Sequence, residues 1–269
     1  MSELSRRTVL RSLGAGAGAA VAAPGLLAGT AVAAPAVPPA RTGDNPVVRE
    51  NRAPGSDQWA VGCAETCGVD PARPQIAGRA DRDSVAPGET LRLRLSTPGA
   101  TVSVYRLGHY AGARARHLLT ETDTGTLWTL KVPAEWVSGL HIAVLTTPDG
   151  YRAHVPFVVR EPARASGVLH VVSGEPGADA SVVRWLEEEG YDVTYATAGD
   201  VREGRVNPER YGALVVTGTT GATGARALTG PRVVHLPRPL ALSEPGRTEE
   251  TARRAASVRI DEAVSRSRS

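Results

Sequence analysis

The stretch VLHVVSGEPGADASVVRWLEEEG, residues 168–190, contains the pattern that decides the fold. Its first five residues are apolar except for His170, as expected for a strand that is covered on both faces. Residues 173–177 then form a loop. Residues 178–189 repeat apolar side chains at helical spacing, and Gly190 ends the helix. A buried strand followed at once by a helix predicts a parallel sheet with helical crossovers.

The pattern continues on the C-terminal side of this stretch. Short apolar runs at 192–195, 213–216 and 232–236 predict three more strands. We therefore expect a small α/β unit with a parallel sheet at 167–242. Residues 243–269 are expected to be a weak amphipathic helix and a disordered tail.

A different periodicity precedes the stretch, over residues 45–160. Leu91, Leu93 and Leu95 alternate with Arg92 and Arg94, which is typical of a strand with one buried and one solvated face. Similar short strands recur between turns rich in proline and glycine, and Pro156 indicates an edge strand. The chain is thus predicted to be an α+β two-domain protein, in which an antiparallel Ig-like β-sandwich precedes the α/β unit.

The N-terminus has the layout of an export signal. Arg6 and Arg7 precede a glycine- and alanine-rich apolar run, which ends in small residues near Ala33. Paired arginines in this position indicate the Tat route, and the run is too weakly hydrophobic for a membrane anchor. We expect a Tat signal peptide at 1–33, a disordered linker at 34–44, and a secreted or extracytoplasmic protein without a transmembrane segment after cleavage.

Composition and cysteines limit the possible partners. The net charge is only +3, and part of it lies in the signal, so we expect no nucleic-acid partner. Cys63 and Cys67 are the two cysteines of the chain. In an exported protein a close pair of this kind favours a disulfide over a zinc site, which would need further ligands nearby.

Several stretches together resemble the N,N-dimethylformamidase beta (large) subunit family. They are residues 45–51, 54–59, 104–114, 132–141 and 183–193. The resemblance implies a β-sandwich followed by an α/β domain that is flavodoxin-like or class I glutamine amidotransferase-like. It also implies hydrolysis of a small amide at a mononuclear iron held by tyrosine and glutamate. We interpret the turn at His109 and Tyr110, within the third stretch, as packing of the sandwich onto its neighbour.

The chain departs from the family pattern where the iron site would lie. The long aromatic-rich insertion after the first α/β strand is reduced to about five residues. In place of the Gly-His-Asp-Glu-Tyr-Trp motif the chain has residues 217–224, a run of threonine, glycine and alanine. Because iron requires several converging oxygen donors, we expect the iron ligands not to be retained, and we predict no cofactor.

Candidate chemistry is confined to the carboxyl edge of the predicted parallel sheet, where open α/β sheets bind ligands. His170, Glu175 and Asp179 are weak catalytic candidates as an acid/base set. Asp179 has the alternative role of stabilising the helix N-terminus. The glycines of 217–224 could expose backbone N–H groups to an anion, although no P-loop lysine accompanies them.

Three functions remain open at this point. The leading hypothesis is a non-catalytic or relict family member that acts as an extracytoplasmic binding or interaction module with a cell-wall or protein partner. The first alternative is a hydrolase acting on a linear amide C–N bond, with a metal site rearranged around His170, Glu175 and Asp179. The second alternative is a sandwich that binds cell-wall glycan.

Overall fold

The computed structural model describes residues 39–41, 43–60, 75–174, 176–217, 232–236 and 247–268. The chain divides into two compact units, residues 1–34 and 35–269, and all described residues lie in the second. The predicted signal with Arg6 and Arg7, the predicted disulfide of Cys63 and Cys67, and the candidate Glu175 lie outside the described residues.

The described residues form a mixed α+β fold, as predicted, with twelve strands and four helices. The helices are α1 (Pro46–Glu50), α2 (Pro176–Glu188), α3 (Ala198–Arg202) and α4 (Arg247–Arg268). The strands are β1 (Gly78–Ala80), β2 (Ser84–Val85), β3 (Thr90–Leu95), β4 (Ala100–Leu107), β5 (Ala115–Thr124), β6 (Leu127–Lys131), β7 (Gly139–Thr146), β8 (Arg152–Val159), β9 (Val168–Val172), β10 (Val193–Thr197), β11 (Ala213–Thr217) and β12 (Val233–Leu236).

The N-terminal half contains two sheets that share one core. Strands β1, β3 and β6 form an antiparallel three-stranded sheet, and the five-stranded sheet has the order β2–β8–β7–β4–β5. The alternation in β3 is as predicted, because its leucines are buried and its arginines are exposed. These leucines pack against Val102 and Val104 of β4 and against Phe157 of β8. Burial of one face of each sheet holds the two sheets together.

The five-stranded sheet is buried on its second face as well. Ile142 and Val144 of β7 pack in the same core as Trp185 of α2 and Ile260 of α4, whereas Ala143 and Leu145 face the three-stranded sheet. This explains why β7 is buried along nearly its whole length instead of alternating. The five-stranded sheet is therefore a wall shared by the two halves of the unit.

The C-terminal half is built on a parallel sheet with the order β10–β9–β11–β12. All three pairs of neighbouring strands in this sheet are parallel. Of the four strands in this sheet, the first along the chain is β9, and it lies between the second, β10, and the third, β11. In such a sheet the crevice at the carboxyl ends of β9 and β11 is the point where the strand order reverses.

The position of Pro156 refines one prediction. Strand β8 was expected at an edge, but β2 pairs with it, in parallel, at Val158 and Val159. Because β2 is only two residues long, it stops short of Pro156, where the missing N–H needs no partner.

Both ends of the described chain contact the parallel sheet. Arg41, within the predicted linker, forms an isolated bridge with Tyr191, and its guanidinium lies 4.3 Å from the centre of the Tyr191 ring. It also forms an ion pair with Asp261 of α4. Helix α4 extends to Arg268, so it includes most of the segment that was expected to be a disordered tail. Its apolar face packs on β11 and β12. No described helix is both long and apolar enough to cross a membrane.

Candidate functional site

The carboxyl edge of the parallel sheet brings together two of the three predicted site residues. His170 lies in the middle of β9, and Thr217 is the last residue of β11. The His170 Nε2 is 2.9 Å from the Thr217 hydroxyl oxygen. Thr217 also lies near Asp179, and its side chain helps to lower the pKa of that carboxylate. One hydroxyl thus lies beside both candidates.

Asp179 also organises the loop between β9 and α2. Its carboxylate accepts hydrogen bonds of 3.0 Å from the backbone N–H and the hydroxyl of Ser173 and from the N–H of Gly174. Asp179 stands in the first turn of α2, where a carboxylate is favoured by the helix dipole. Burial raises its pKa, and these hydrogen bonds offset that rise only in part.

His170 is held as a neutral imidazole. It is fully buried, and burial lowers its pKa to about 3. Its Nδ1 has no hydrogen-bond partner in the described part of the chain. No carboxylate therefore orients this ring in the way that a catalytic histidine is oriented.

The hydrogen-bond directions oppose a nucleophilic Thr217. Within the described chain, Nε2 is the only nitrogen of the neutral His170 ring that has a hydrogen-bond partner, so we place the single ring proton there, and Nε2 donates it to the Thr217 hydroxyl. The His170 Nε2 then already carries a proton and has no lone pair with which to take one from Thr217. An activated nucleophile needs the reverse direction between these two side chains.

A second polar cluster, which we call the junction, connects the sandwich to the α/β unit. Arg106 of β4 and Glu187 of α2 form an ion pair with N–O distances of 2.8 and 3.1 Å, and both side chains are 1% exposed or less. Arg106 also donates to the Ser138 carbonyl and the Tyr110 hydroxyl. Burial alone would lower the pKa of Arg106, but the Glu187 carboxylate raises it well above its usual value.

The Glu187 carboxylate is bonded from two further directions. The hydroxyl of Tyr195 donates to one oxygen at 2.9 Å, and the side-chain amide of Asn51 donates to the other at 2.7 Å. Asn51 follows α1 and also accepts the backbone N–H groups of His109 and Tyr110. These contacts join α1 and the turn to α2, which confirms the interpretation of that turn as a packing element.

The iron that the family resemblance implies does not fit these residues. In the described chain, tyrosine and glutamate bind each other at Tyr195–Glu187 and at Tyr110–Glu50. Each glutamate already binds a guanidinium, from Arg106 or from Arg116. Burial raises the pKa of both tyrosines, so they stay protonated, whereas metal binding requires phenolate.

The rest of the described chain offers no replacement for those ligands. No group of three or more histidine, cysteine, aspartate or glutamate side chains that could hold a metal occurs there. Glu175 and the loop beyond Thr217 lie outside the described residues.

Sequence patterns placed Thr217 and Ser173 at this edge but assigned no role to either side chain. Thr217 was assigned to the following loop, and nothing in its neighbours marks it as the residue that ends β11. The usable signal is positional: the polar residue that follows a buried parallel strand lies at the carboxyl edge of its sheet.

Comparison with known proteins identifies part of the chain. Residues 101–175 match the family described as N,N-dimethylformamidase beta subunit-like, C-terminal. This confirms the family resemblance over a segment that runs from β4 through β9 and includes Arg106 and His170. No curated protein matches the chain.

Solved structures show only remote likenesses. A fungal alcohol oxidase of the AA5 family in complex with copper is 16% identical, covers 35% of this chain and 22% of its own, and has a TM-score of 0.28. An uncharacterized protein from Bacillus anthracis is 13% identical, covers 43% of this chain and 90% of its own, and has a TM-score of 0.24. A sporulation control protein from Bacillus subtilis is 11% identical, and the match covers 31% of this chain and 48% of that protein, with a TM-score of 0.23. Scores this low carry no argument about function.

Proposed function

We propose that this chain is a non-catalytic member of the N,N-dimethylformamidase beta subunit-like family that acts as an extracytoplasmic binding or interaction module. The observation that carries the proposal is the hydrogen bond at the carboxyl edge, where the buried, neutral His170 donates to Thr217. Within the described chain this direction leaves no base directed at the Thr217 hydroxyl. Two tyrosine–glutamate pairs, Tyr110 with Glu50 and Tyr195 with Glu187, are likewise bonded to each other and to arginines in a way that does not suit iron.

The finer fold is part of the same proposal. The sandwich is Ig-like, which the shared core of the two N-terminal sheets supports. The α/β half is flavodoxin-like or amidotransferase-like, because its first strand lies between the second and third. A sandwich and a small sheet joined through a bonded junction would present a surface of fixed shape.

Export by the Tat route completes the proposal and has its own test. The paired Arg6 and Arg7 support it. A reporter fused after residue 44 should appear outside the cytoplasm with the native signal and stay inside with the double substitution Arg6→Lys and Arg7→Lys. The matched control is Arg11→Lys, which leaves the pair intact. Export of the doubly substituted fusion would contradict the Tat assignment.

The absence of catalysis is tested with the purified chain and ferrous iron. We expect no saturable hydrolysis of N,N-dimethylformamide, formamide or acetamide. Saturable hydrolysis that disappears in Asp179→Asn but persists in Asp261→Asn would overturn the proposal. The second aspartate lies on the exposed side of α4 and serves as the matched control.

A second candidate is an amide hydrolase with a rearranged site at His170, Glu175 and Asp179. One observation favours it: His170 hydrogen-bonds Thr217, and Asp179 lies near the same residue, on the edge where such sheets bind ligands. Metal in stoichiometric amount in the purified protein, lost in Glu175→Ala and in Asp179→Ala, would support this candidate. Metal-free native protein without hydrolytic activity would contradict it.

A further inference from the structure

An open cleft of about 500 Å³ lies on the sandwich, beside the turn whose Tyr110 belongs to the junction. One wall is the segment 55–60, and the other is the turn at Gly112, Ala113 and Arg114. The charged and aromatic side chains in the lining are Asp57, Trp59 and Arg114. A cleft of this size is in the range that takes a small molecule.

The first wall is fixed on the sandwich by its backbone. The Ser56 N–H donates to the Ala115 carbonyl at 2.7 Å, and the carbonyls of Gln58 and Ala60 accept from Arg152 of β8. Gly55 allows the close approach, because a Cβ there would lie 2.4 Å from the Cβ of Ala113. The strands of the sandwich therefore hold this wall in place.

The second wall carries backbone strain. Tyr110, Ala111 and Arg114 have φ values of 44°, 52° and 72°, a region that residues other than glycine avoid. Such conformations are strained, and strain of this kind gathers at binding and catalytic sites. The contacts of Tyr110 with the junction hold the turn in this conformation.

The two charged side chains of the cleft have no side-chain partner within the described part of the chain. Asp57 and Arg114 are both exposed, and within the described chain neither side chain forms a hydrogen bond or an ion pair, including with the other. Trp59 differs, because its indole N–H points at the Ala113 carbonyl, 3.4 Å away. Its ring system is half-buried against the core, and the part that remains exposed is the aromatic surface in the lining.

We propose that this cleft binds a small zwitterion of the α-amino acid type. Arg114 takes the carboxylate, since a guanidinium can bind it through two N–H groups. Asp57 takes the ammonium group, and the indole of Trp59 contacts the side chain or the cation. A neutral sugar would leave both charges unmatched. The inference rests on the proposed binding function and gives that function a ligand class.

The test is calorimetric titration of the full-length purified protein with each of the twenty standard amino acids. We expect saturable binding of at least one of them, with a dissociation constant on the order of 1 mM. The tightest ligand is then compared with its N-acetyl form, which lacks the ammonium group, and with its carboxamide, which lacks the carboxylate.

Two variants connect each charge of the ligand with one side chain. Arg114→Gln should weaken binding of the amino acid by about three- to tenfold and leave binding of the carboxamide unchanged. Asp57→Asn should weaken the amino acid similarly and leave the N-acetyl form unchanged. The matched control is Arg94→Gln, on the exposed face of β3, which should bind like the native protein.

Three outcomes would overturn the inference. They are no binding by any amino acid, equal binding of the parent and both derivatives, and equal affinity in Arg114→Gln, Asp57→Asn and the control. If the protein binds a neutral saccharide and no amino acid, this ligand class is wrong and the proposed binding function stands. Hydrolysis of amides would instead count against the proposed function and leave the cleft untouched.

Discussion

Arg106 and Arg114 belong to one stretch of the chain, the end of β4 and the turn that follows it, yet their surroundings are opposite. Arg106 is 1% exposed and donates to Glu187, Tyr110 and the Ser138 carbonyl. Arg114 is exposed at the rim of a cleft and has no side-chain partner among the described residues. Both lie in the segment that matches the family.

The difference shows that a motif does not by itself say what its charged residues do. A buried guanidinium whose two terminal nitrogens are bonded within the protein, as in Arg106, joins two parts of the fold, although its Nε has no partner in the described chain. An exposed guanidinium beside a cleft contributes little to stability and is available for binding. Four measurements would break or sharpen this comparison.

The largest effect is expected at the junction. Glu187→Ala leaves Arg106 charged, buried and unpaired, which should lower the free energy of unfolding by about 3–5 kcal/mol. The double variant Arg106→Met with Glu187→Leu should recover part of this loss, because it removes the unpaired charge but leaves the Tyr195 hydroxyl and the Asn51 amide without their acceptor. Urea unfolding followed by circular dichroism measures both. A double variant as unstable as Glu187→Ala would show that the charge pair is not the cause.

The next effect is a pH dependence that comes from a buried histidine near the junction. His141 stacks between Trp136 and Phe157, and burial lowers its pKa to about 3. The unfolded side chain titrates near 6.5, so between these values the unfolded chain binds more protons. The contribution of His141 to the free energy of unfolding is therefore fully present above about pH 6.5. It decreases as the pH drops towards 3, by up to about 1.4 kcal/mol per pH unit.

His141→Phe should remove this contribution to the slope. Unfolding free energies at a series of pH values compare it with the native protein and with His117→Gln, an exposed histidine of β5. If the unfolding free energy of His141→Phe falls with pH as steeply as that of the native protein, His141 is not a source of this pH dependence.

A smaller effect is expected at a second contact between the halves. Asp200 of α3 accepts from Ser84 of β2 and from Arg205 and Thr197. Burial raises its pKa, but these hydrogen bonds outweigh burial and lower it. Asp200→Asn should cost about 1–3 kcal/mol at neutral pH.

The sign of the pH dependence follows from the lowered pKa. The contribution of Asp200 is present above its unfolded pKa of about 3.9 and is lost as the pH falls through the folded value. Native protein and Asp200→Asn should therefore converge in stability at acidic pH, in the same urea experiment. A constant difference at all pH values would show that packing, not charge, is lost.

The smallest effect on stability is expected at the cleft. Arg114→Gln and Asp57→Asn should change the free energy of unfolding by no more than about 0.5 kcal/mol, since neither side chain has a partner to lose. Thermal unfolding of both variants beside native protein checks this. A loss as large as that of Glu187→Ala would make Arg114 a structural residue like Arg106.

Much of the fold follows from periodicity. The alternation around Leu93 predicts β3, and the apolar run around His170 predicts β9, because each pattern matches the number of faces the strand buries. The edge strand β5 was not predicted, although it is the longest strand. Its sequence ARHLLTETDT is largely polar and half-exposed, so it carries no alternation to detect.

The site was less predictable than the fold. The sequence indicates that His170 and Asp179 lie at the same edge, but the proton order depends on Thr217, which meets them only in three dimensions. Glu187 sits next to the predicted apolar stripe of α2 and has no local mark of burial. Its partner Arg106 is 81 residues away in the chain, and a pairing across that distance leaves no spacing to recognise.

The contacts of Arg41 have a consequence for the topology of the chain. Arg41 is hydrogen-bonded to Tyr191 and paired with Asp261, so the first described residues run beside the last helix. Such proximity is what circular permutation requires. A permutant that joins residue 268 to residue 39 through a short glycine–serine linker and opens at the exposed turn of Pro148, Asp149 and Gly150 should keep every sheet of the native protein.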